Sequence, residues 1–339
     1  MNLNEIVQIL KREKQPVITV FGDFCLDKYL YVDPKKDELS LETGLTAYQI
    51  THKKNHAGAG GTITNNLLAL GAKVYTIGIV GNDGEGFELL KCLKKEGADV
   101  SLMVHTDERN TATYIKPMRV VKDQVTEMNR FDIKNFTATP MNIQKHLLEN
   151  LEKVLHISDA IIISDQYIEK DCAAITEYVQ KNLSELAGKY KDIIWYVDSR
   201  SDIYKFKNMI LKCNHKEIAQ VFKVDDKTVN TDVALGYSKK LYEKNGEPIY
   251  VTLGEFGSVV YDGLHSYKIP AFKITGEIDV VGAGDAFNAG IIFAMTKGAD
   301  YQQAALVGNA ASSIVIKKIG QTGTANLDEV IYLLGEGSK

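Results

Sequence analysis

A run of small residues precedes an aspartate in the segment 279–290, where the sequence reads DVVGAGDAFNAG. The spacing predicts a tight loop that opens a helix of about 15 residues, which Lys297 and Gly298 would end. Backbone N–H groups at a helix N-terminus, with the helix dipole behind them, form a site for anions. Because a carboxylate follows these groups directly, the segment predicts a site where phosphoryl charge is stabilised while a proton is removed.

The candidate catalytic residues are Asp285 and the three small residues before it. Asp285 would accept the proton of an attacking hydroxyl group. The backbone N–H groups of Gly282, Ala283 and Gly284 would face the migrating phosphoryl group, because a glycine has no Cβ to block a close approach. The alternative is a glycine-rich turn with an acid in the first helical turn, where acids are favoured in any case.

Composition places the chain among ordinary globular proteins. Its 339 residues are 45% hydrophobic and 25% charged, which is sufficient for a large core. The net charge of −4 excludes a global basic field, so we expect no nucleic-acid partner. The four cysteines form no C-x-x-C pair, which predicts a reducing compartment. No segment has the pattern of a signal peptide or a membrane span, so we expect a cytoplasmic protein without a membrane partner.

Strand and helix patterns alternate through most of the chain. The apolar, β-branched segment 17–21 predicts a buried parallel strand, and Asp23 and Asp27 would lie just beyond its carboxyl end. Open α/β sheets bind their ligands at that edge. The alternation predicts an α/β fold in which a mostly parallel sheet is sandwiched by helices.

Two segments interrupt the alternation. Residues of about 25–57 and 107–131 lack helical patterns and contain short strand patterns. We predict that they form a small β lid on a single domain that spans residues 1–339. The strand edges of such a lid need cover, which a second subunit would supply.

Polar residues also follow two later predicted strands. Asp198 and Arg200 come after one of them and would approach a phosphate. Asn214 and Glu217 come after the next, and one helical turn separates them. Both side chains can therefore face the same ion.

The motifs occur in an order that resembles the PfkB (ribokinase-like) family of carbohydrate kinases. They are the GDxxxD segment 22–27, the glycine-rich segment 58–61, G-x-D-x-x-G at 81–86, N-x-x-E at 214–217, VTLG at 251–254 and the GAGD segment. Segments 22–29 and 164–167 look most like the kinase domain of bacterial heptose-7-phosphate kinases. The resemblance covers nearly the whole chain and implies a ribokinase-like fold.

The resemblance also implies an activity. It implies an ATP-dependent phosphotransferase that phosphorylates a hydroxyl of a sugar or sugar phosphate, with Mg²⁺ bound. It further implies activation by a monovalent cation such as K⁺, for which the candidate positions lie near Asp279 and Gly320. The lids of this family close over the sugar and often pair with a second subunit, so we expect a homodimer formed through the lid.

Individual site residues carry over from the family by position. Asp27 matches the aspartate that holds sugar hydroxyls, and a carboxylate has the acceptors for two neighbouring hydroxyls. The other positions on the acceptor side are Asp23, Gly58 and Thr62. The positions implied on the nucleotide side are Asn214, Thr252, Gly254, Asn309 and Asp198, and Glu217 matches the residue that organises water around Mg²⁺.

The acceptor side departs from the family pattern. Where the family commonly has Gly-Gly followed by an asparagine that touches the sugar, this chain has Gly58, Ala59 and Thr62. A hydroxyl then replaces an amide that offers both a donor and an acceptor. We therefore expect a catalytically active kinase with an altered set of sugar contacts.

Two alternatives remain open. A nucleoside kinase of the same fold would need aromatic surface in the lid, and Tyr29, Tyr31 and Tyr48 would supply it. A non-catalytic, sugar-binding regulatory protein would release no ADP with any acceptor, although the intact GAGD segment argues against it.

Overall fold

Strands and helices alternate along most of the chain. The computed structural model describes residues 2–122, 124–319 and 323–336. Within these residues the strands are, in chain order, β1 (Val17–Gly22), β2 (Phe24–Val32), β3 (Glu38–Leu39), β4 (Thr46–Ala47), β5 (Ile50–Ala59), β6 (Lys73–Ile77), β7 (Ile79–Gly81), β8 (Val104–Thr106), β9 (Thr113–Val121), β10 (Gln124–Glu127), β11 (Phe131–Ile133), β12 (Ala160–Asp165), β13 (Ile194–Ser199), β14 (Ile210–Asn214), β15 (Ile249–Thr252), β16 (Ser258–Tyr261) and β17 (Ser266–Ile269). The helices are α1 (Leu3–Leu10), α2 (Gly60–Ala69), α3 (Gly84–Glu96), α4 (Met141–Glu152), α5 (Glu177–Lys189), α6 (His215–Phe222), α7 (Thr231–Asn245), α8 (Ala283–Thr296), α9 (Tyr301–Val315) and α10 (Leu327–Glu336).

The main sheet has eight strands in the order β17-β16-β15-β14-β13-β12-β1-β6. The six strands from β15 to β6 in this order run parallel, and the β16–β17 hairpin extends the sheet antiparallel. Successive isoleucines of β12 point into different cores. Ile162 packs with helices such as α8 and α9, whereas Ile161 and Ile163 pack with helices such as α4 and α5. The prediction of a mostly parallel sheet sandwiched by helices is confirmed.

A second sheet of five strands stands apart from the main sheet. Its order is β10-β9-β2-β5, and β11 also pairs with β9. The central pair, β2 and β9, is parallel, whereas β5 runs antiparallel to β2. These strands come from the two segments for which a β lid is predicted. We call this second sheet the lid sheet, and its closing over a ligand stays a prediction.

Two acids lie elsewhere along their strands than the sequence pattern indicates. Asp23 follows β1 as predicted, but Asp27 lies inside β2, because the chain turns at Gly22 and enters the next strand at once. Gly22 has φ +134, and a Cβ there would lie 2.2 Å from the carbonyl oxygen of Ser164. Asp198 is part of β13 and does not follow it, because it still pairs with Ser164 of β12.

The GAGD segment opens a helix, as predicted. Gly282 is the N-cap of α8 with φ 79, in the left-handed region that favours glycine. The helix runs for 14 residues, and Lys297 and Gly298 follow it. None of the helices in the described ranges has the length and apolar character that crossing a bilayer requires.

Candidate active site

The start of α8 lies beside the carboxyl edge of the parallel strands. Among the described residues no side chain caps this helix, so N–H groups of its first turn can serve a ligand. The Ala283 N–H donates to the Val280 carbonyl at 3.2 Å in the structure. The loop is held from outside: the Ser312 hydroxyl on α9 donates to the carbonyl of Ala283 at 2.7 Å. Asp279 accepts from the backbone N–H of Val281 at 3.0 Å, and its own N–H donates to Ile316. The geometry matches an anion site at a helix N-terminus.

Asp285 is half-buried in this first helical turn. Its burial raises the pKa of the carboxyl group to about 7, and the negative charge of Asp198 raises it further. The positive charges of Lys212 and Arg200 oppose this rise in pKa, while Asp27 adds to it. A carboxyl group with a pKa near neutral pH is suited to accept and release a proton.

Four buried side chains form a hydrogen-bonded network behind Asp285. Asp198 Oδ2 accepts from Lys212 Nζ at 3.0 Å and from Asn288 Nδ2 at 2.6 Å. Asn288 Oδ1 accepts from the hydroxyl of Tyr196 at 2.8 Å. Lys212 Nζ also lies 3.5 Å from the position that a Cβ of Gly284 would occupy. The network therefore places a buried cation next to the anion site.

The N-x-x-E residues form a capping box at the start of α6. Asn214 accepts from the N–H groups of Lys216 and Glu217, and Glu217 Oε2 accepts from the N–H of Asn214 at 2.7 Å. Burial raises the pKa of Glu217 to about 7, and the positive charge of Lys212 opposes this rise. Glu217 thus has a structural role in addition to the metal role predicted for it.

The acceptor-side aspartate Asp27 lies on β2 of the lid sheet, close enough to Asp285 for its negative charge to raise the pKa of that carboxyl group. Its Oδ1 forms an ion pair with Lys116 Nζ on β9 at 2.8 Å, and the same ammonium donates to the Tyr29 hydroxyl at 3.2 Å. A Cβ at Gly58 would lie 2.5 Å from Asp27 Oδ2 and 2.7 Å from Cys25 Sγ. Only a glycine at position 58 therefore leaves space for the Asp27 carboxylate where it stands.

Two other acceptor-side residues, Asp23 and Thr62, are buried. The Asp23 carboxylate accepts from the backbone N–H groups of Gln166, Tyr167 and Ala174 at 2.8–3.1 Å. It thereby holds the segment after β12 against the end of β1. The Thr62 side chain is 3% exposed, and its hydroxyl donates to the carbonyl of Ala57. Direct sugar contacts by these two residues stay predictions.

The predicted nucleotide-side residues lie on two strand ends, on the turn after β15 and on α9. Asn214 and Thr252 are register partners on β14 and β15. Gly254 is exposed, with φ +59 and open space where a Cβ would be. Asn309 is buried on α9 and donates to the carbonyls of Ile269 and Pro270 at 3.2 and 3.1 Å. Asn309 therefore anchors the chain after β17, and its predicted contact with adenine stays untested.

Three residues of the site are absent from the set predicted from the sequence: Lys212, Asn288 and Lys116. Lys212 and Asn288 interrupt apolar segments, and a polar residue in a buried position is a signal in itself. Lys116 gives no comparable signal, because alternating strands contain many lysines on their open faces.

The family assignment rests on most of the chain. A sequence profile described as pfkB family carbohydrate kinase matches residues 18–327. The chain belongs to this family. The resemblance of the motifs is thereby confirmed. Membership supports a carbohydrate kinase, that is, a phosphotransferase with an alcohol group as acceptor.

Curated relatives of this pfkB family chain include proteins named bifunctional protein HldE. The one from Sulfurimonas denitrificans is 31% identical over 318 residues, which cover 93% of this chain and 63% of that protein. The one from Aliarcobacter butzleri is 28% identical over 319 residues, which cover 94% of this chain and 64% of that protein. The chain therefore spans just under two thirds of the length of these relatives.

Solved structures of carbohydrate kinases share the fold. Escherichia coli phosphofructokinase-2, solved with substrates and products, gives a TM-score of 0.71 at 16% identity, with 96% of this chain and 100% of that chain covered. Another of its structures is a complex with potassium. Arabidopsis thaliana ribokinase, solved with ribose and ATP, gives a TM-score of 0.70 at 16% identity, with 95% and 99% covered. The ribokinase-like fold is confirmed.

Proposed function

We propose that this chain transfers the γ-phosphoryl group of ATP to a hydroxyl of a sugar or sugar phosphate at the start of α8. The observation that carries the proposal is the position of Asp285. Its carboxyl group has a pKa near 7 and lies in the first turn of a helix that none of the described side chains caps. A proton acceptor and an anion site are thus provided by consecutive residues.

In this reaction Asp285 accepts the proton as the acceptor hydroxyl attacks the γ-phosphorus. An O–P bond forms to the acceptor, and the bond between the γ-phosphorus and the β,γ-bridging oxygen breaks, so that ADP leaves with the electron pair. The N–H groups of Gly282, Ala283 and Gly284 stabilise the charge on the transferring group, that of Ala283 after it exchanges its 3.2 Å bond to the Val280 carbonyl. Lys212 adds a positive charge next to them, held in place by Asp198.

The nucleotide lies on the side of β14 and β15 in this proposal. Asn214, Thr252 and Gly254 line that side, with Asn309 and Asp198 behind them. Glu217 is the residue proposed to face Mg²⁺. In the described ranges no group of three or more ligating side chains gathers. Mg²⁺ at nucleotide sites is usually bound through one or two carboxylates, phosphates and water. When bound, Mg²⁺ neutralises phosphate charge.

The acceptor lies between Asp285 and the lid sheet. Asp27 holds its hydroxyls, and Gly58 leaves the space that this carboxylate needs. Lys116 forms an ion pair with Asp27 and can compete with the acceptor hydroxyls for this carboxylate. Alternatively, its ammonium group can bind an anionic group of the acceptor. Asp23 and Thr62 support this region from behind. The resemblance of segments 22–29 and 164–167 to heptose-7-phosphate kinases makes a phosphorylated sugar the first acceptor class to test.

A screen for ADP release tests the proposal. The panel contains pentoses, hexoses, heptoses, their phosphates and nucleosides, each with MgATP. We expect ADP release with at least one sugar or sugar phosphate, and none from an Asp285→Asn preparation, which serves as the control for contaminating kinases. If none of the acceptors in the panel causes ADP release, the result would favour a non-catalytic, sugar-binding regulatory protein.

A nucleoside acceptor is the second candidate. The observation that favours it is a set of aromatic contacts on the lid sheet: Tyr29 packs edge-on against His56, and Tyr31 packs against His52. Tyr48 is 49% exposed. Such rings can stack a base. Release of ADP with nucleosides, and not with sugars, would establish this alternative.

We also propose that two lid sheets pair in a homodimer. The segment between β2 and β5 exposes Leu39, Leu41, Leu45 and Tyr48, which are between 49% and 104% exposed. Apolar side chains that gather in this way generally mark an interaction surface. Light scattering should give a dimer mass for the wild type and a monomer mass for a variant with serine at the three leucines.

Activation by a monovalent cation is proposed near Asp279. The backbone N–H of Asp279 is bound to Ile316, while Gly320, the other predicted position, lies outside the described residues. The rate in KCl should exceed the rate in tetramethylammonium chloride of equal ionic strength. We further propose a cytoplasmic location, where ATP is available, and fractionation of cells tests it.

A further inference from the structure

Asn288 lies one helical turn after Asp285 and is completely buried. Both ends of its amide are bonded: Nδ2 donates to Asp198 Oδ2 at 2.6 Å, and Oδ1 accepts from the Tyr196 hydroxyl at 2.8 Å. This orientation of the amide is the consistent one, because an ionised carboxylate only accepts, whereas a tyrosine hydroxyl can donate. Asn288 therefore ties the first turns of α8 to two residues of β13.

The bond to Asp198 constrains more than one residue. Lys212 Nζ donates to the same oxygen, Oδ2, at 3.0 Å, so the amide and the ammonium together set the orientation of the carboxylate. Both members of the Asp198–Lys212 pair have side chains at most 7% exposed. A buried ion pair of this kind needs further hydrogen bonds to keep a single geometry.

We propose that Asn288 is a positioning residue, which holds the Asp198 carboxylate, and through it the Lys212 ammonium, in one place beside Asp285. Its relevance to catalysis rests on the proposed function, because Asp285 is the proton acceptor there. The arrangement itself rests on the bond distances and on the burial of the four side chains. Asn288 touches neither substrate in this proposal.

The charges that face Asp285 predict the effect of removing the amide. Asp198 and Asp27 raise the pKa of Asp285, Lys212 and Arg200 lower it, and the Cys25 thiol adds no charge because burial raises its own pKa well above the usual value. The Asn288 N–H dipole points its positive end at Asp198 and offsets part of that negative charge. Without the amide the negative field at Asp285 increases, so its pKa should rise.

The test is a ¹³C-carboxyl NMR titration of the full chain, in which Asp285 is assigned from its loss in Asp285→Asn. We expect Asn288→Ala to move the Asp285 titration upward by several tenths of a pH unit. Should this variant fold poorly, Asn288→Ser replaces it, since a serine hydroxyl is too short to reach Asp198. Tyr196→Phe keeps the bond to Asp198 and should shift the titration less.

Thr296→Val is the matched control. Thr296 is on the same helix, is buried, and donates one hydrogen bond to the carbonyl of Phe293 at 2.7 Å, so its replacement destabilises α8 without touching Asp198. Its Asp285 titration should equal that of the wild type. Steady-state kinetics should show a kcat about twofold lower at pH 7 for Asn288→Ala, which is the loss of ionised Asp285 that this titration shift gives, with KM values for MgATP and acceptor little changed.

The outcomes separate the two proposals. A folded Asn288→Ala protein whose Asp285 titrates as in the wild type would overturn the positioning role, and so would an equal shift in Thr296→Val. A wild type without kinase activity would overturn the proposed function, whereas the NMR titration would still decide the role of Asn288. An unchanged kcat together with a shifted titration would overturn the catalytic relevance of that role.

Discussion

The site residues of the main sheet, which we call the fixed wall, and those of the lid sheet, which we call the lid wall, are held differently. On the side of the main sheet, Tyr196, Asp198, Lys212 and Asn288 are buried and joined by hydrogen bonds of 2.6–3.0 Å. On the side of the lid sheet, the ion pair of Asp27 and Lys116 is only half-buried, with side chains that are 14% and 15% exposed. The aromatic side chains around that ion pair also reach the surface.

This difference separates two tasks. A buried polar network has one low-energy arrangement, because every alternative leaves a group without a partner. Half-exposed side chains can exchange a partner for water or a ligand at small free-energy cost. We infer that the main sheet holds the reacting groups in fixed positions, whereas the lid sheet adapts to the acceptor and selects it.

Removing the proton acceptor on the fixed wall should have the largest effect. Asp285→Asn keeps the size of the side chain but cannot take up the proton, so kcat should fall about 10²–10⁴-fold. The affinity for MgATP should remain, because the backbone N–H groups of the loop are unchanged. Turnover and isothermal titration calorimetry measure the two quantities.

The same residue predicts the pH dependence of the wild type. The carboxyl group must be ionised to accept a proton, and its pKa is raised to about 7. The rate should therefore increase as the pH rises through about 7, and fall below it. Asp192→Asn, at an exposed position, is the control and should retain the wild-type profile. A near-normal kcat in Asp285→Asn would show that this aspartate only begins the helix.

Changes on the lid wall should act on acceptor binding as well as on turnover. Asp27→Asn should raise the KM for the acceptor at least as much as it lowers kcat, by about tenfold, because it weakens bonds to ground-state hydroxyls. Lys116→Gln removes the ammonium group that forms an ion pair with the Asp27 carboxylate. It should weaken binding of a phosphorylated acceptor and strengthen binding of a neutral sugar. A pure kcat effect in both variants would contradict the division between the walls.

Position 58 gives a smaller and more specific change. The added methyl group of Gly58→Ala would press on the Asp27 carboxylate and on Cys25. We expect a rise in the acceptor KM of several-fold, with MgATP affinity unchanged. Gly84→Ala is the matched control, since a Cβ there meets nothing within 4 Å, and it should bind the acceptor normally. If Gly58→Ala and Gly84→Ala have the same KM for the acceptor, the space around position 58 does not control acceptor binding.

The smallest expected effect concerns stability. Asp165 is buried at the end of β12, and burial raises its pKa to about 8 while the Ser199 hydroxyl donates to it. Because the pKa is higher in the folded than in the unfolded chain, the stability it contributes is present in acid and is lost as the pH rises through about 8. Asp165→Asn should therefore gain a few degrees in melting temperature, relative to the wild type, between pH 5 and 8.5.

Differential scanning fluorimetry at both pH values measures this difference. The difference in melting temperature between Asp192→Asn and the wild type should be the same at both pH values, because the side chain at position 192 is exposed in the folded and in the unfolded chain. A melting difference in Asp165→Asn that is the same at pH 5 and pH 8.5 would mean that Asp165 is ionised throughout.

The sequence predicts the fixed wall better than the lid wall. Apolar segments such as 17–21 identify buried parallel strands, and the small residues before Asp285 identify the loop at α8. Both signals are local. The ion pair of Asp27 and Lys116 depends on parallel pairing between β2 and β9, which are distant along the chain, and no local pattern contains it.

The position of a residue along its strand is also harder to predict from the sequence than the existence of the strand. Asp198 continues β13 because Ser164 is still available as its partner on β12, and Asp27 lies in β2 because the turn at Gly22 is immediate. In both cases a neighbouring strand decides where pairing ends. Asn288 and Asp198 are 90 positions apart, so only the fold brings them together.

The contact between α8 and α9 has an evolutionary consequence. A Cβ at Gly290 would lie 3.0 Å from the Cα of Gly308, so the backbones of the two helices touch. A Cβ at Gly308 would lie 2.8 Å from the ring of Phe287. Such a junction tolerates almost no substitution. A lineage that acquires a new acceptor can therefore change the exposed positions of the lid sheet, but it must keep Gly290 and Gly308 almost unaltered.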